Sequence, residues 1–199
     1  MYSSRAVACA RSQRLGANPH HAIDAVVLAK KLSSFCILLE NAGQGSDQGT
    51  LIPLLAPRYL AFSALFVALD GLSCPESLNH GAGYAVSSKA KTEEELALQS
   101  QSIHFVQEAS EEVHKLANAL SASVLQDRSV LRRVCPFILD ALYYATATFY
   151  WRLGETGADI FRSSVENLDT ALNTVGMRWK LGKTYAGMAK FYHVSARVD

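Results

Sequence analysis

Glu111 and His114, in the tetrapeptide Glu111-Glu112-Val113-His114, put a carboxylate and an imidazole three residues apart on what reads as a helix. Glu-x-x-His is the spacing that places two metal ligands on one helix face in carboxylate-bridged di-iron bundles. Such a centre needs a second Glu-x-x-His and two more inward carboxylates. This chain has no second copy, and its most apolar segment offers only Asp140. The pair is therefore expected to belong to a solvated helix surface, and no metal or other cofactor is expected. His20 and His21 are adjacent, so on a helix their rings point apart. His104 and His114 are ten residues apart, about 80° from a shared face at roughly 100° per residue.

Other chemistries lack their motifs. No Gly-x-Ser-x-Gly, no Gly-x4-Gly-Lys-Ser/Thr and no Gly-x-Gly-x-x-Gly after a strand is present. Gly81-Ala82-Gly83 lies in a loop-like stretch with no strand before it. A non-enzymatic chain is expected. What remains is aromatic. Tyr143, Tyr144, Phe149, Tyr150 and Trp151 crowd one segment, and Trp179 follows later. Core packing is the ordinary use of such a run, with an apolar ligand pocket lined by Tyr143, Tyr144, Phe149, Trp151 and Trp179 as the alternative.

These residues depend on the helices that carry them. Segment 135–151, CPFILDALYYATATFYW, has no charged side chain between Asp140 and Arg152, and its large residues point all round a helical wheel. A helix apolar on every face must be surrounded by other elements. It is expected to span about 135–153 as the buried central helix of an all-α bundle, with Pro136 in its first turn and Gly154 and Gly157 at its end.

The flanking segments read in the same way. Asn18-Pro19 starts a helix that runs to about 41, with Ala22, Val26, Ala29, Leu32, Cys36 and Leu39 at helical spacing. Residues 43–50 form a loop, and Pro53 and Pro57 mark the start of a second apolar helix over 57–72. Residues 74–91, with glycines, serines and Pro75, form a long exposed connection. Thr92 and Glu95 make a capping box, which opens a helix to about 125. Its stripe of Leu96, Ile103, Val106, Val113, Leu116, Leu120 and Val124 is interrupted by Gln99 and Ser110. At roughly 50 Å, this helix is expected to break partway. Helices over 159–175, capped by Gly176, and over 178–193 complete the chain.

Composition sets the outer bounds. The chain has 199 residues, a net charge of +1, 49% hydrophobic residues and 19% charged residues. That is one greasy domain without the basic excess of a nucleic-acid-binding module. Charge is nevertheless segregated. Residues 92–128 carry Glu93, Glu94, Glu95, Glu108, Glu111, Glu112 and Asp127 against Lys115 and Arg128; residues 176–199 carry Arg178, Lys180, Lys183, Lys190 and Arg197 against Asp199. Two solvated faces that attract one another are the plain reading. Cys9, Cys36, Cys74 and Cys135 are widely spaced, as buried free thiols of the cytosol or nucleus would be. Residues 1–18 are expected to form a flexible leader. Their Arg5, Arg11 and Arg14 and lack of acids are also the composition of a mitochondrial transit peptide. No apolar run reaches the roughly 20 residues of a membrane span.

One stretch carries a resemblance. Leu172, Gly176, Arg178, Trp179 and Tyr185, in ALNTVGMRWKLGKTY, resemble the closing segment of the regulatory region of fungal zinc-cluster transcription factors. The order of a proline-marked apolar helix, an acidic helix and a second apolar helix is similar over most of 52–197. The resemblance implies an all-helical, nuclear regulatory domain over 19–199. Such a domain modulates a separate DNA-binding module or contacts proteins of the transcription machinery, in some members with a small apolar ligand or as a homodimer. The family's DNA-binding module needs six cysteines in two halves, which this chain lacks, so zinc and direct nucleic-acid contact do not carry over. A free-standing helical interaction module and a small-molecule binder are the alternatives.

Overall fold

A computed structural model describes residues 19–43, 48–73 and 92–195. These form six α-helices and one 3-10 turn, with no strand among the described residues. The expected leader over 1–18 and the expected connection over 74–91 lie outside the described residues. In chain order the helices are α1 (Pro19–Gly43), α2 (Gln48–Ser73), α3 (Glu93–Gln126), α4 (Ile138–Thr156), α5 (Asp159–Gly176) and α6 (Leu181–Ser195), with the 3-10 turn at Arg128–Arg132 between α3 and α4. The all-α fold class follows.

One core runs through all six helices. Helix α4 packs against α2, α3, α5 and α6, and from Ile138 to Gly154 none of its residues is exposed. Helix α3 also touches four helices, α1, α2, α4 and α5, so it shares the interior with α4. Tyr59, Leu142, Leu168 and Leu172 are among the largest side chains fully removed from water. At about 1.5–3 kcal/mol for each large apolar side chain buried, this core is the main driving force for folding.

Several helix ends differ from the sequence expectation. Helix α1 extends to Gly43 and α2 already starts at Gln48, so helix encroaches on both ends of the expected 43–50 loop; residues 44–47 lie outside the described residues. Helix α2 continues through Pro53 and Pro57 rather than starting at the second. Each proline removes one backbone donor. Spaced four apart, the two lose their rungs on the same edge of the helix, and the buried run from Tyr59 to Leu69 holds the remainder in place.

The expected break in α3 does not occur: its 34 residues are continuous. Ser110, which interrupts the apolar stripe, is buried, and its Oγ donates to the Val106 carbonyl at 2.7 Å. Ser102 does the same to Leu98 at 2.8 Å. A polar seam residue satisfied on its own helix costs little, so the seam does not have to open. The capping box is present: Thr92 Oγ1 accepts from Glu95 N at 3.2 Å, and Thr92 N donates to Glu95 Oε2 at 2.8 Å.

Pro136 precedes α4 in a turn instead of lying in its first turn, with Ile138 N donating to the Cys135 carbonyl. At the other end Gly157, at φ 63°, closes the helix by donating to Leu153 O at 2.9 Å. Only glycine adopts that left-handed conformation at no steric cost.

Candidate functional site

The residues that carry the family resemblance converge on the corner between α5 and α6. Gly176 is not the left-handed cap expected of it. It is the last residue of α5, Met177 caps the helix in a right-handed conformation, and residues 177–180 form a turn before α6 starts at Leu181. In that turn Arg178 N and Trp179 N both donate to the Val175 carbonyl at 3.0 Å.

The need for glycine is steric. A Cβ on Gly182 would lie 2.6 Å from Leu172 O, 2.8 Å from Gly176 Cα and 2.9 Å from Gly176 N. A Cβ on Gly176 would meet Lys183 N at 3.2 Å. Two helices thus meet backbone to backbone, through Gly176 and Gly182.

The other residues of the stretch tie this corner to the body. Arg178 Nη1 donates to the Leu131 carbonyl in the 3-10 turn, and its guanidinium carbon lies 4.8 Å from the centre of the Trp179 ring. Trp179 packs half-buried against the core, with its Nε1 buried and unpartnered among the described residues. Tyr185 OH donates to Asp140 Oδ1 at 2.8 Å, which ties α6 to α4. Burial, reinforced by that bond to a carboxylate, pushes the Tyr185 hydroxyl up to about 12. A parallel tie joins α4 to α5, where Tyr150 OH donates to Asp169 Oδ2 at 2.9 Å; Lys190 of α6 reaches the same oxygen at 3.3 Å.

The ligand-pocket candidates separate into different surroundings. Tyr143 and Tyr144 belong to an aromatic chain across three helices. Phe66 stacks on Tyr144 at 5.6 Å between ring centres, Tyr144 meets Tyr143 at 5.5 Å, and Tyr143 meets Tyr185 at 4.9 Å. Phe149 points to other neighbours, with His114 at 5.8 Å and Phe161 at 6.2 Å. Trp151 is half-buried further along α4, and Trp179 lies in the α5–α6 corner. A cavity of about 20 Å³ occurs elsewhere, lined by Tyr59, Leu120, Arg133, Cys135 and Ile138 among others. It has room for about one water molecule.

The Glu-x-x-His pair is engaged structurally. Glu111 Oε1 lies 3.6 Å from Arg152 Nη1, and that guanidinium sits 4.2 Å above the Phe161 ring. His114 Nε2 is 3.2 Å from Asn118 Nδ2 and 3.4 Å from Asn167 Nδ2. Burial lowers the pKa of His114, which favours a neutral ring able to accept from an amide. Among the described residues, no group of three or more His, Cys, Asp or Glu could hold a metal ion. The side chains of His20 and His21 lie outside the described residues. His104 is exposed and pairs with Glu108 at 3.2 Å.

Arg58 links three helices, 3.5 Å from Glu40 and 3.6 Å from Glu112. Nearby Cys36 is buried and free, and burial pushes its thiol up to about 12. Cys135 is also free, and Cys9 and Cys74 lie outside the described residues. No helix among the described residues is long and apolar enough to cross a membrane.

No protein-family model, no curated protein and no solved structure matches this chain. Two features escape a sequence reading altogether. One is Gly182, whose partner is a backbone carbonyl ten residues away. The other is the convergence of Arg128, Arg132 and Arg133 with the α5–α6 corner. The run Asp127-Arg-Ser-Val-Leu-Arg-Arg gave a signal of charge, but not of place.

Proposed function

We propose that this chain is a non-enzymatic, all-helical regulatory domain of the fungal zinc-cluster transcription factor type, working in the nucleus through contact with other proteins. The observation that carries the reading is the α5–α6 corner. Leu172, Gly176, Arg178, Trp179 and Tyr185 lie in one joint, and each has a separate structural task there. A pattern whose members serve one joint supports a structural unit more than a chance string. The engagement of Glu111, His114, Tyr150 and Tyr185 as contacts between helices also favours a scaffold over a reactive centre.

Regulation in such a body works by population shift. A partner that binds one helix arrangement better draws the ensemble toward it, by no more than its difference in affinity for the two states. The test is tethering. The chain is fused to a heterologous DNA-binding module, and a reporter carrying that module's site is measured. The expected result is output changed several-fold from that of the module alone. A folded, expressed fusion that leaves the reporter at the module's own level overturns the proposal.

A further inference from the structure

Arg178 joins two basic segments that are remote in sequence. Its bond to the Leu131 carbonyl ties the α5–α6 corner, with Arg178, Lys180 and Lys183, to the 3-10 turn, with Arg128, Arg132 and Arg133. All six side chains are exposed, and none forms an ion pair within 4 Å among the described residues. The acid beside them is Asp127, whose carboxylate accepts from Ser129 N at 2.8 Å and Ser129 Oγ at 2.5 Å and feels Arg133 electrostatically. A chain with a net charge of only +1 thus concentrates uncompensated positive charge at one end.

Apolar side chains lie among these cations. Met177 is 63% exposed and Leu181 48%, on either side of Arg178 and Lys180. A surface that offers both cations and protruding apolar side chains suits a partner that offers both carboxylates and apolar side chains.

We infer that this end of the molecule, formed by Arg128, Arg132, Arg133, Lys180 and Lys183 around Met177 and Leu181, docks an acidic protein segment interspersed with large apolar residues. A phosphate backbone would meet the cations and leave Met177 and Leu181 exposed to water. The acidic segment covers both. The inference rests on the contact-based reading above and gives that reading a partner of definite chemistry.

The test uses purified chain and a fluorescein-labelled peptide in which Asp and Glu alternate with Leu and Phe, read by anisotropy. Saturable binding that weakens with salt is expected. Arg132→Glu with Lys180→Glu lowers the affinity at least about tenfold, and Met177→Gln with Leu181→Gln lowers it several-fold. All four side chains are exposed, so both double variants should melt within a few degrees of the wild type. Absence of binding overturns the inference. So does tighter binding to a single-stranded oligonucleotide or to phosphatidylserine vesicles, or an affinity indifferent to Met177 and Leu181. This assay reads no transcription, so it can fail separately from the tethering experiment. Peptide binding with an unmoved reporter removes only the transcriptional role.

Discussion

Replacing Gly182 with alanine tests the architecture of the α5–α6 corner directly. The new methyl carbon would lie 2.6 Å from Leu172 O and 2.8 Å from Gly176 Cα. Ordinary contact starts near 3.4 Å, so the two helices must separate by roughly 0.8 Å. Every obstructing atom is backbone, so no side chain can swing aside. Overpacking of this kind costs about 1–3 kcal/mol. The usual gain on replacing a helical glycine by alanine, up to about 1 kcal/mol, offsets only part of it. A net loss of about 1–2 kcal/mol is expected, which for a chain of this size lowers Tm by roughly 2–8 °C. The control is Gly187→Ala in the same helix, where nothing lies within 4 Å of the new atom. There only the helix-propensity term acts, and Tm should rise by about 1–4 °C. Thermal denaturation followed by circular dichroism measures both variants. A Gly182→Ala protein as stable as the wild type, with Gly187→Ala behaving as stated, would refute the close backbone contact.

Thr92→Ala removes the hydroxyl half of the reciprocal cap on α3 and leaves the backbone N–H of residue 92 to donate to Glu95, and urea denaturation should show a loss of about 1 kcal/mol. Thr92→Ser should restore most of it. His114 should make stability depend on pH. Its folded-state pKa is depressed by burial, so the unfolded chain binds the proton more readily. The neutral-ring contribution is complete above the ordinary value of 6.5 and is lost as pH falls below it. The Tm difference between wild type and His114→Gln should therefore narrow in moving from pH 8 to pH 5. A constant difference across that range would remove His114 from the account.

Much of the fold is legible in the sequence because its signals are local. Apolar spacing sets a stripe that is buried at Val113, Leu116, Leu120 and Val124 and exposed at Leu96, and the Thr92–Glu95 box fixes a helix start to the residue. The helix over 159–175 differs from α5 by a single residue at its end. The misreadings have a common cause, since each was a local rule overridden by a distant partner or by the helix's own carbonyls. Prolines 53 and 57 read as a start because they lack donors, yet burial of the following run keeps them inside α2. Ser110 read as a weak point in α3, yet it bonds within its own helix. Gly176 read as a cap, yet it is small because Gly182 lies against it.

The sequence alone determined the class of structure: all-helical, with apolar faces that have to be covered and few charges to spare. Periodicity along a helix is enough for that, because it depends only on neighbours three and four residues away. Tertiary structure alone decided which side chains meet. It distributed Tyr143, Tyr144, Phe149, Trp151 and Trp179 among different surroundings and bonded Arg178 of the α5–α6 corner to the Leu131 carbonyl of the arginine-bearing 3-10 turn. The Tyr143–Tyr185 and Leu131–Arg178 pairings each span more than 40 residues of chain. No local rule reaches so far; only the packing of whole helices brings such residues together.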